Sequence, residues 1–126
     1  MADKMKKVLF IDDNPVDRTL IERLLTKNDF EVFIADSAKD GFRLAEEEKP
    51  DLILLDILLP GISGIEMCKR LKSKVATSNI PVIFYTSIDT PRHLIDYESY
   101  GAVDYVQKTD PPEVLIKHIR YALGMK

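Results

Sequence analysis

Leu52-Ile53-Leu54-Leu55-Asp56 sets four large aliphatic side chains directly before one carboxylate. A continuous apolar run of this length leaves no face for water, so it suits a central strand covered on both sides. The carboxylate then falls at the strand's carboxyl end. There the chain turns through Ile57-Leu58-Leu59-Pro60-Gly61-Ile62-Ser63-Gly64, with Pro-Gly as the turn signal. An Asp presented at that place can act as a nucleophile, a metal ligand or both.

The rest of the chain supplies companions for this strand. Lys7-Val8-Leu9-Phe10-Ile11 reads as a first buried strand ending in Asp12-Asp13, and Asn14-Pro15 caps the helix that follows. Leu20, Leu24 and Leu25 give that helix its apolar side, and Asn28-Asp29 ends it. Glu31 to Ala35 is a second strand. Asp36-Ser37 opens a second helix, with Ser37 and Asp40 at capping-box spacing, and Pro50 stops it. Ile65, Met67, Cys68 and Leu71 mark a third helix, with Lys69, Arg70, Lys72 and Lys74 on its wet side. Pro81 to Thr86 is a fourth strand, and Thr90-Pro91 is expected to cap a fourth helix reaching about Tyr100, with Gly101 as its terminator. Asp104 to Gln107 is a short fifth strand running into Lys108. Asp110-Pro111 starts a fifth helix with a stripe of Val114, Leu115, Ile116, Ile119 and Leu123. Buried strands alternating with helices predict an α/β fold, a doubly wound five-stranded parallel sheet covered on both faces by five helices.

With 126 residues the chain has room for one domain, expected to fill residues 1–126 with a core from about 6 to 123. The formal net charge of -3 gives no field for nucleic acid. No apolar run approaches the roughly 20 residues of a membrane span, and the four-residue run Val8 to Ile11 behind the basic N-terminus is too short for a signal peptide, so a cytoplasmic protein is expected. The single Cys68 excludes an internal disulfide and reads as a small core residue; His93 and His118 read as surface helix residues.

Ligands of such sheets sit beyond the carboxyl ends of the strands. Those ends carry Asp12-Asp13, Asp56, Thr86 and Lys108. Each alone is a weak signal, since an Asp there is usually a cap and a Lys a solvated charge. Together they are specific. Three converging carboxylates repel one another unless a cation intervenes, and oxygen-only ligands without His or Cys favour Mg²⁺ (or Mn²⁺) over Zn²⁺. A cation, a lysine and a hydroxyl around one carboxylate make a phosphoryl site. In that reading Asp56 attacks, Asp12 and Asp13 hold the metal, Lys108 pairs with one phosphoryl oxygen and Thr86 bonds another.

The segments from Val8 to Asn14, Pro50 to Asp56, Leu59-Pro60-Gly61 with Gly64, Pro81 to Ser87 and Gly101 to Lys108 resemble a response-regulator receiver domain, the phospho-acceptor half of two-component signalling. The resemblance spans nearly the whole chain. It implies a flavodoxin-like sheet of order 2-1-3-4-5. It also implies that Asp56 is the phospho-acceptor, that Asp12 and Asp13 with the Leu58 backbone carbonyl and Asp56 form the metal set, and that Thr86 and Tyr105 are switch residues. A sensor histidine kinase or histidine phosphotransfer protein would be the donor. The output would run through a face of the fourth helix, fifth strand and fifth helix, where Arg92, Tyr97, Tyr100, Val106 and Gln107 are expected, to a downstream protein or a phosphorylation-linked homodimer.

Three departures stand out. Thr109 follows Lys108 where relatives carry Pro, which predicts a trans bond or a rearranged loop. Ser87 replaces a common Ala. Leu58 and Ile88 are aliphatic where fast self-dephosphorylating relatives tend to be polar, which predicts a long-lived phosphate. A small aspartyl-phosphate phosphohydrolase would carry a second Asp at position 58, and a flavodoxin-type cofactor binder would need a Ser/Thr/Gly-rich loop in place of Asp12 to Pro15. Both rank below a non-enzymatic signalling module, as does an interaction module that leaves the site unused.

Overall fold

The computed structural model describes residues 4–91 and 94–125. Five strands form one parallel sheet: β1 (Lys7–Ile11), β2 (Glu31–Ala35), β3 (Leu52–Leu55), β4 (Val82–Thr86) and β5 (Asp104–Gln107), in the order β2-β1-β3-β4-β5. Four helices connect or follow them: α1 (Pro15–Lys27), α2 (Ala38–Glu48), α3 (Gly64–Ser73) and α4 (Pro112–Ala122). The flavodoxin-like order implied by the resemblance is the order observed.

The central position of β3 accounts for its unbroken apolar run. Ile53 and Leu55 face one core, shared with Ala38 and Ala45 of α2 and Met67, Cys68 and Leu71 of α3. Leu52 and Leu54 face the other, shared with Ile21 and Leu25 of α1 and Leu115, Ile116 and Ile119 of α4. Residues that alternate between two dry faces must all be apolar. β2, at an edge, is only partly buried along most of its length.

The helix starts follow the capping residues in the sequence. Asn14 Oδ1 accepts from the backbone N–H of Val16 and Asp17, and Ser37 and Ser63 do the same for Asp40 and Glu66. The apolar side of α1 is turned slightly from its expected place: Ile21 and Leu25 point inward, whereas Leu20 is exposed.

Among the described residues, the expected fourth helix, from Thr90 to about Tyr100, is not formed. Among the described residues between β4 and β5, the segment from Leu94 to Gly101 closes short turns. Leu94 N–H donates to Pro91 O, Tyr100 N–H to Tyr97 O and Gly101 N–H to Glu98 O. Asp96, Tyr97, Ser99 and Tyr100 are weak helix formers, and the Ser99 hydroxyl donates to the Asp96 carbonyl, competing with the helical pattern. Leu94, which a helix would bury, is exposed. Among the described residues the sheet is therefore served by four α-helices where five were expected.

Lys72 is not on the wet side of α3. Its ammonium donates to the carbonyls of Ser78 and Ile80, and the buried Thr77 hydroxyl donates to Leu71 O at 2.6 Å. The aliphatic stem covers apolar surface while the charged tip clips α3 to the segment before β4. Burial holds the Lys72 ammonium below its usual pKa.

Candidate functional site

The ladder bonds continue one step past the strands and fix the site residues by their backbones. Asp12 N–H donates to Ala35 O, Asp56 N–H to Ile11 O at 3.1 Å, and Lys108 N–H to Thr86 O at 2.8 Å. Asp12, Asp56, Thr86 and Lys108 thus gather at the carboxyl edge of the sheet, around the point where the connections leave to opposite faces. The loop after β3 closes over this edge through Gly64. A Cβ there would lie 2.1 Å from the Asp56 carbonyl oxygen, so only glycine lets α3 start so near the acceptor strand.

Carboxylate oxygens of Asp12, Asp13 and Asp56 lie within 4.8 Å of one another, a cluster able to hold a metal ion. Asp12 is fully buried, Asp56 nearly so, and Asp13 is exposed. Lys108 reaches into the cluster: its Nζ is 2.5 Å from Asp12 Oδ2, 2.7 Å from Asp17 Oδ2 and 3.3 Å from Asp56 Oδ2. Asp12 Oδ1 accepts from Asn14 N–H, and Asp56 Oδ1 accepts from Leu58 N–H at 3.1 Å. Burial pushes the Asp12 carboxyl above its usual range, opposed by the bonds from Lys108 and Asn14 and reinforced by the charge of Asp56. For Lys108, burial alone would lower the ammonium's pKa, but the bonds to Asp12 and Asp17 and the Asp56 charge outweigh it and hold it above the usual range.

Asp17 is the member of the site that the sequence reading missed. It stands in the first turn of α1, two residues after Pro15. The available signal was the placement: a helix that follows β1 must start at the same sheet edge that presents Asp12.

The hydroxyl of buried Thr86 accepts from Ile88 N–H at 3.4 Å, so it is engaged with the loop after β4. Tyr105 is turned inward and only 2% exposed. Its hydroxyl proton is shared between the carbonyls of Ile88 and Thr90, at 2.9 and 3.0 Å, and the Gln107 amide donates to the same two carbonyls. The peptide after Lys108 is trans, and Gln107 to Asp110 close a turn through Asp110 N–H to Gln107 O and Gln107 N–H to Asp110 Oδ2. Thr109 lies within that turn, ahead of the start of α4 at Pro112.

The expected interaction face needs correction. Val106 is buried in the core between the sheet, α1 and α4, because it alternates with Tyr105 on a strand covered on both sides. Tyr100 lies under the Lys69 ammonium, 5.4 Å from its ring centre, beside α3. Arg92 and His93 lie outside the described residues. Tyr97 lines a groove with Val103, Asp104, Lys117, His118 and Tyr121, and Gln107 is half-buried against the loop after β4. His118 is not a plain surface residue, since its Nδ1 lies 2.5 Å from Asp104 Oδ2.

A parallel 2-1-3-4-5 sheet with an acidic cluster and one lysine at its carboxyl edge defines a CheY-like receiver fold. The family model described as response regulator receiver domain matches residues 8–120, and the chain belongs to that family. It is 35% identical over 120 residues to the protein PilH of Pseudomonas aeruginosa, covering 95% of this chain and 99% of PilH. It is 38% identical to the transcriptional regulatory protein AfsQ1 of Streptomyces coelicolor, covering 94% of this chain and 52% of AfsQ1. The chain thus spans about half the length of several curated relatives it matches. Among solved structures, the BeF3-activated N-terminal receiver domain of RstA from Klebsiella pneumoniae superposes with a TM-score of 0.85 at 36% identity, covering 94% of this chain and 98% of that one. Receiver domains are signalling domains of two-component systems, which receive phosphate from histidine kinases. Among the described residues no helix is long and apolar enough to cross a membrane.

Proposed function

We propose that this chain is a phospho-accepting switch in which Asp56 takes a phosphoryl group from a phosphohistidine on a sensor histidine kinase or histidine phosphotransfer protein. The observation that carries this reading is the meeting of Asp12, Asp13 and Asp56 within 4.8 Å, with the Lys108 ammonium 3.3 Å from Asp56. One ammonium does not neutralise three carboxylates, and the donor set is oxygen only, so the cluster fits a hard divalent cation such as Mg²⁺ or Mn²⁺. Asp12, Asp13 and Asp56, with the Leu58 carbonyl, would hold it. When bound, the ion supplies positive charge against the phosphoryl oxygens.

The chain's own residues do the rest. An Asp56 carboxylate oxygen forms the new O–P bond as the N–P bond of the donor breaks, and its electron pair returns to the imidazole nitrogen. Lys108 is placed to pair with a phosphoryl oxygen. The Thr86 hydroxyl, which accepts from Ile88 N–H, keeps its own O–H to donate to a phosphoryl oxygen and is drawn toward it. Tyr105 and Gln107 hold the Ile88 and Thr90 carbonyls, so a shift of Thr86 is passed to the loop ahead of the Tyr97 to Tyr121 groove. Tyr105 is already inward here, and phosphorylation would act by favouring this arrangement over others. The downstream partner, a protein or a second copy, would read that groove. The unit is a single receiver domain acting in the cytoplasm, and it turns over no metabolite.

Incubation with acetyl phosphate and Mg²⁺, followed by intact mass, tests the reading. A Mg²⁺-dependent gain of one phosphoryl group that disappears in Asp56→Asn is expected. No gain, together with no Mg²⁺ binding by calorimetry, would overturn it in favour of an unphosphorylated interaction module.

A further inference from the structure

The ammonium of Lys108 is held by one carboxylate that the acceptor chemistry leaves without a role. Asp17 Oδ2 lies 2.7 Å from Nζ, shorter than the 3.3 Å from Nζ to Asp56. Asp17 belongs to α1, while Asp12 and Asp56 follow β1 and β3, so the ammonium is bounded by the β1–α1 stretch on one side and the end of β3 on the other. An ammonium has three N–H donors. Two are taken at short distance by Asp12 and Asp17, which leaves the third for Asp56.

The geometry points to Asp17 as a positioning residue, which fixes the Lys108 ammonium so that its remaining N–H faces the Asp56 side of the crevice. This rests on the phospho-acceptor reading for its consequence, not for the contact itself. Lysine is a flexible point charge with four rotatable bonds, and its orientation must come from its partners. Asp12 alone cannot supply it, because Asp12 is also one of the candidate cation ligands, and oxygens turned to a cation are lost to the ammonium. Asp17 stands outside the group of carboxylates that meet within 4.8 Å. It is also tied down on its own side: its backbone N–H donates to Asn14 Oδ1, and its side chain is 28% exposed. It can therefore keep hold of Lys108 whatever Asp12 and Asp13 are doing.

The test uses the full chain, its Asp17→Asn and Asp17→Glu variants, and Lys108→Ala. The first readout is the ¹⁵N signal of the Lys108 ammonium, assigned by its loss in Lys108→Ala. An anchored ammonium exchanges its protons slowly and gives a visible signal in the wild type and in D17E, while in D17N the signal broadens away. The second readout is the rate of phosphorylation by acetyl phosphate at saturating Mg²⁺. D17N is expected to lower it by about tenfold, the scale of a misplaced positioning group. D17E is expected to restore it, and D17N should add nothing in a K108A background. An unchanged ammonium signal in D17N, or a rate loss that persists in the K108A background, would overturn the inference and leave Asp17 as a helix-terminal charge. If the wild type takes no phosphate at all, the phospho-acceptor reading fails, and the ammonium signal alone then decides whether Asp17 is the anchor.

Discussion

The Lys108 ammonium lies 2.5 Å from Oδ2 of Asp12, a carboxylate with no exposed surface. Removing the cation leaves Asp12 and Asp56 facing each other in a dry crevice. Lys108→Met should therefore destabilise the metal-free protein by about 3 kcal/mol, the scale for breaking a buried pair from one side. A bound cation would take over the neutralising role, so millimolar Mg²⁺ should raise the variant's stability more than the wild type's. Urea unfolding with and without Mg²⁺ measures both. An equal Mg²⁺ increment in the two proteins would refute the shared-charge argument.

Tyr105 and Gln107 converge on the same two carbonyls, Ile88 and Thr90. Either side chain can satisfy them when the other is lost. Tyr105→Phe and Gln107→Leu should each cost little, well under the ~1 kcal/mol of an ordinary buried hydrogen bond. The double variant removes both of these donors and should cost more than the sum of the singles. A denaturant double-mutant cycle checks this, and strict additivity would show that the two groups do not share the loop.

The parts that were legible in the sequence are those where one rule dominates. The β3 run had to be central because Leu52 to Leu55 offer no polar face, and Asp12, Asp56 and Lys108 follow from where strands end. The misses fall where tertiary packing overrides local pattern. Lys72 reads as solvated by its position on α3, yet its stem covers apolar surface and its tip finds the Ser78 and Ile80 carbonyls. Val106 is expected on the interaction face from the resemblance alone, but it is buried against α4. The segment from Leu94 to Gly101 carries helix punctuation, Thr90-Pro91 before and Gly101 after, without a burying stripe between them. Asp17 was missed because its partner lies 91 residues away, and only its place at the start of α1 pointed to the site.

Cys68 is fully buried, and burial pushes its thiol from 9.0 up to about 11. A folded-state pKa above the unfolded value means the unfolded chain loses this proton first. The stability contributed by the neutral thiol is intact below pH 9.0 and is lost progressively as pH rises through about 11. The full loss amounts to about 2 to 3 kcal/mol at 1.36 kcal/mol per tenfold change. Between those limits the wild type should lose stability more steeply with pH than Cys68→Ala, whatever the cavity costs the variant at neutral pH. Below pH 9 the thiol should resist alkylation until the protein unfolds. Rapid labelling of native protein at pH 8 would contradict this.

The acceptor's neighbours bear on how long a phosphate would last. Leu58 is 54% exposed, beside Asp56, while Ile88 is half-buried against the core on the α2 and α3 side. Leu58 is therefore the aliphatic side chain at the open mouth. Given phosphorylation at Asp56, Leu58→Asn should shorten the phosphate's lifetime more than Ile88→Asn, because an amide at the mouth can orient water that a leucine excludes. Decay of the phosphorylated mass after removal of acetyl phosphate measures it. A wild-type half-life of seconds, or a longer one in Leu58→Asn, would sink the argument.

Gly64 couples the acceptor loop to the fold. A Cβ at this position would meet three atoms of the Asp56 and Ile57 backbone at 2.1 to 2.9 Å. Its N–H also donates to Ile57 O at 2.9 Å, so the close approach is bonded as well as packed. Backbone cannot swing aside as a flexible side chain can. Gly64→Ala must therefore push α3 away from β3 or tilt the peptide that carries Asp56. The expected cost is about 3 kcal/mol, the upper range for an added methyl in a packed interior. The same displacement should impair Mg²⁺ binding, because the Leu58 N–H that fixes Asp56 Oδ1 belongs to the loop that moves. Gly61→Ala is the control: its Cβ meets nothing within 4 Å, although its φ of +83° still strains any other residue. G61A should lose about 1 kcal/mol and keep its Mg²⁺ affinity. Thermal unfolding and calorimetric Mg²⁺ titration of the two variants separate backbone strain in the loop from displacement of the carboxylate. Equal Mg²⁺ affinities in G64A and G61A would show that α3 can retreat without disturbing the site.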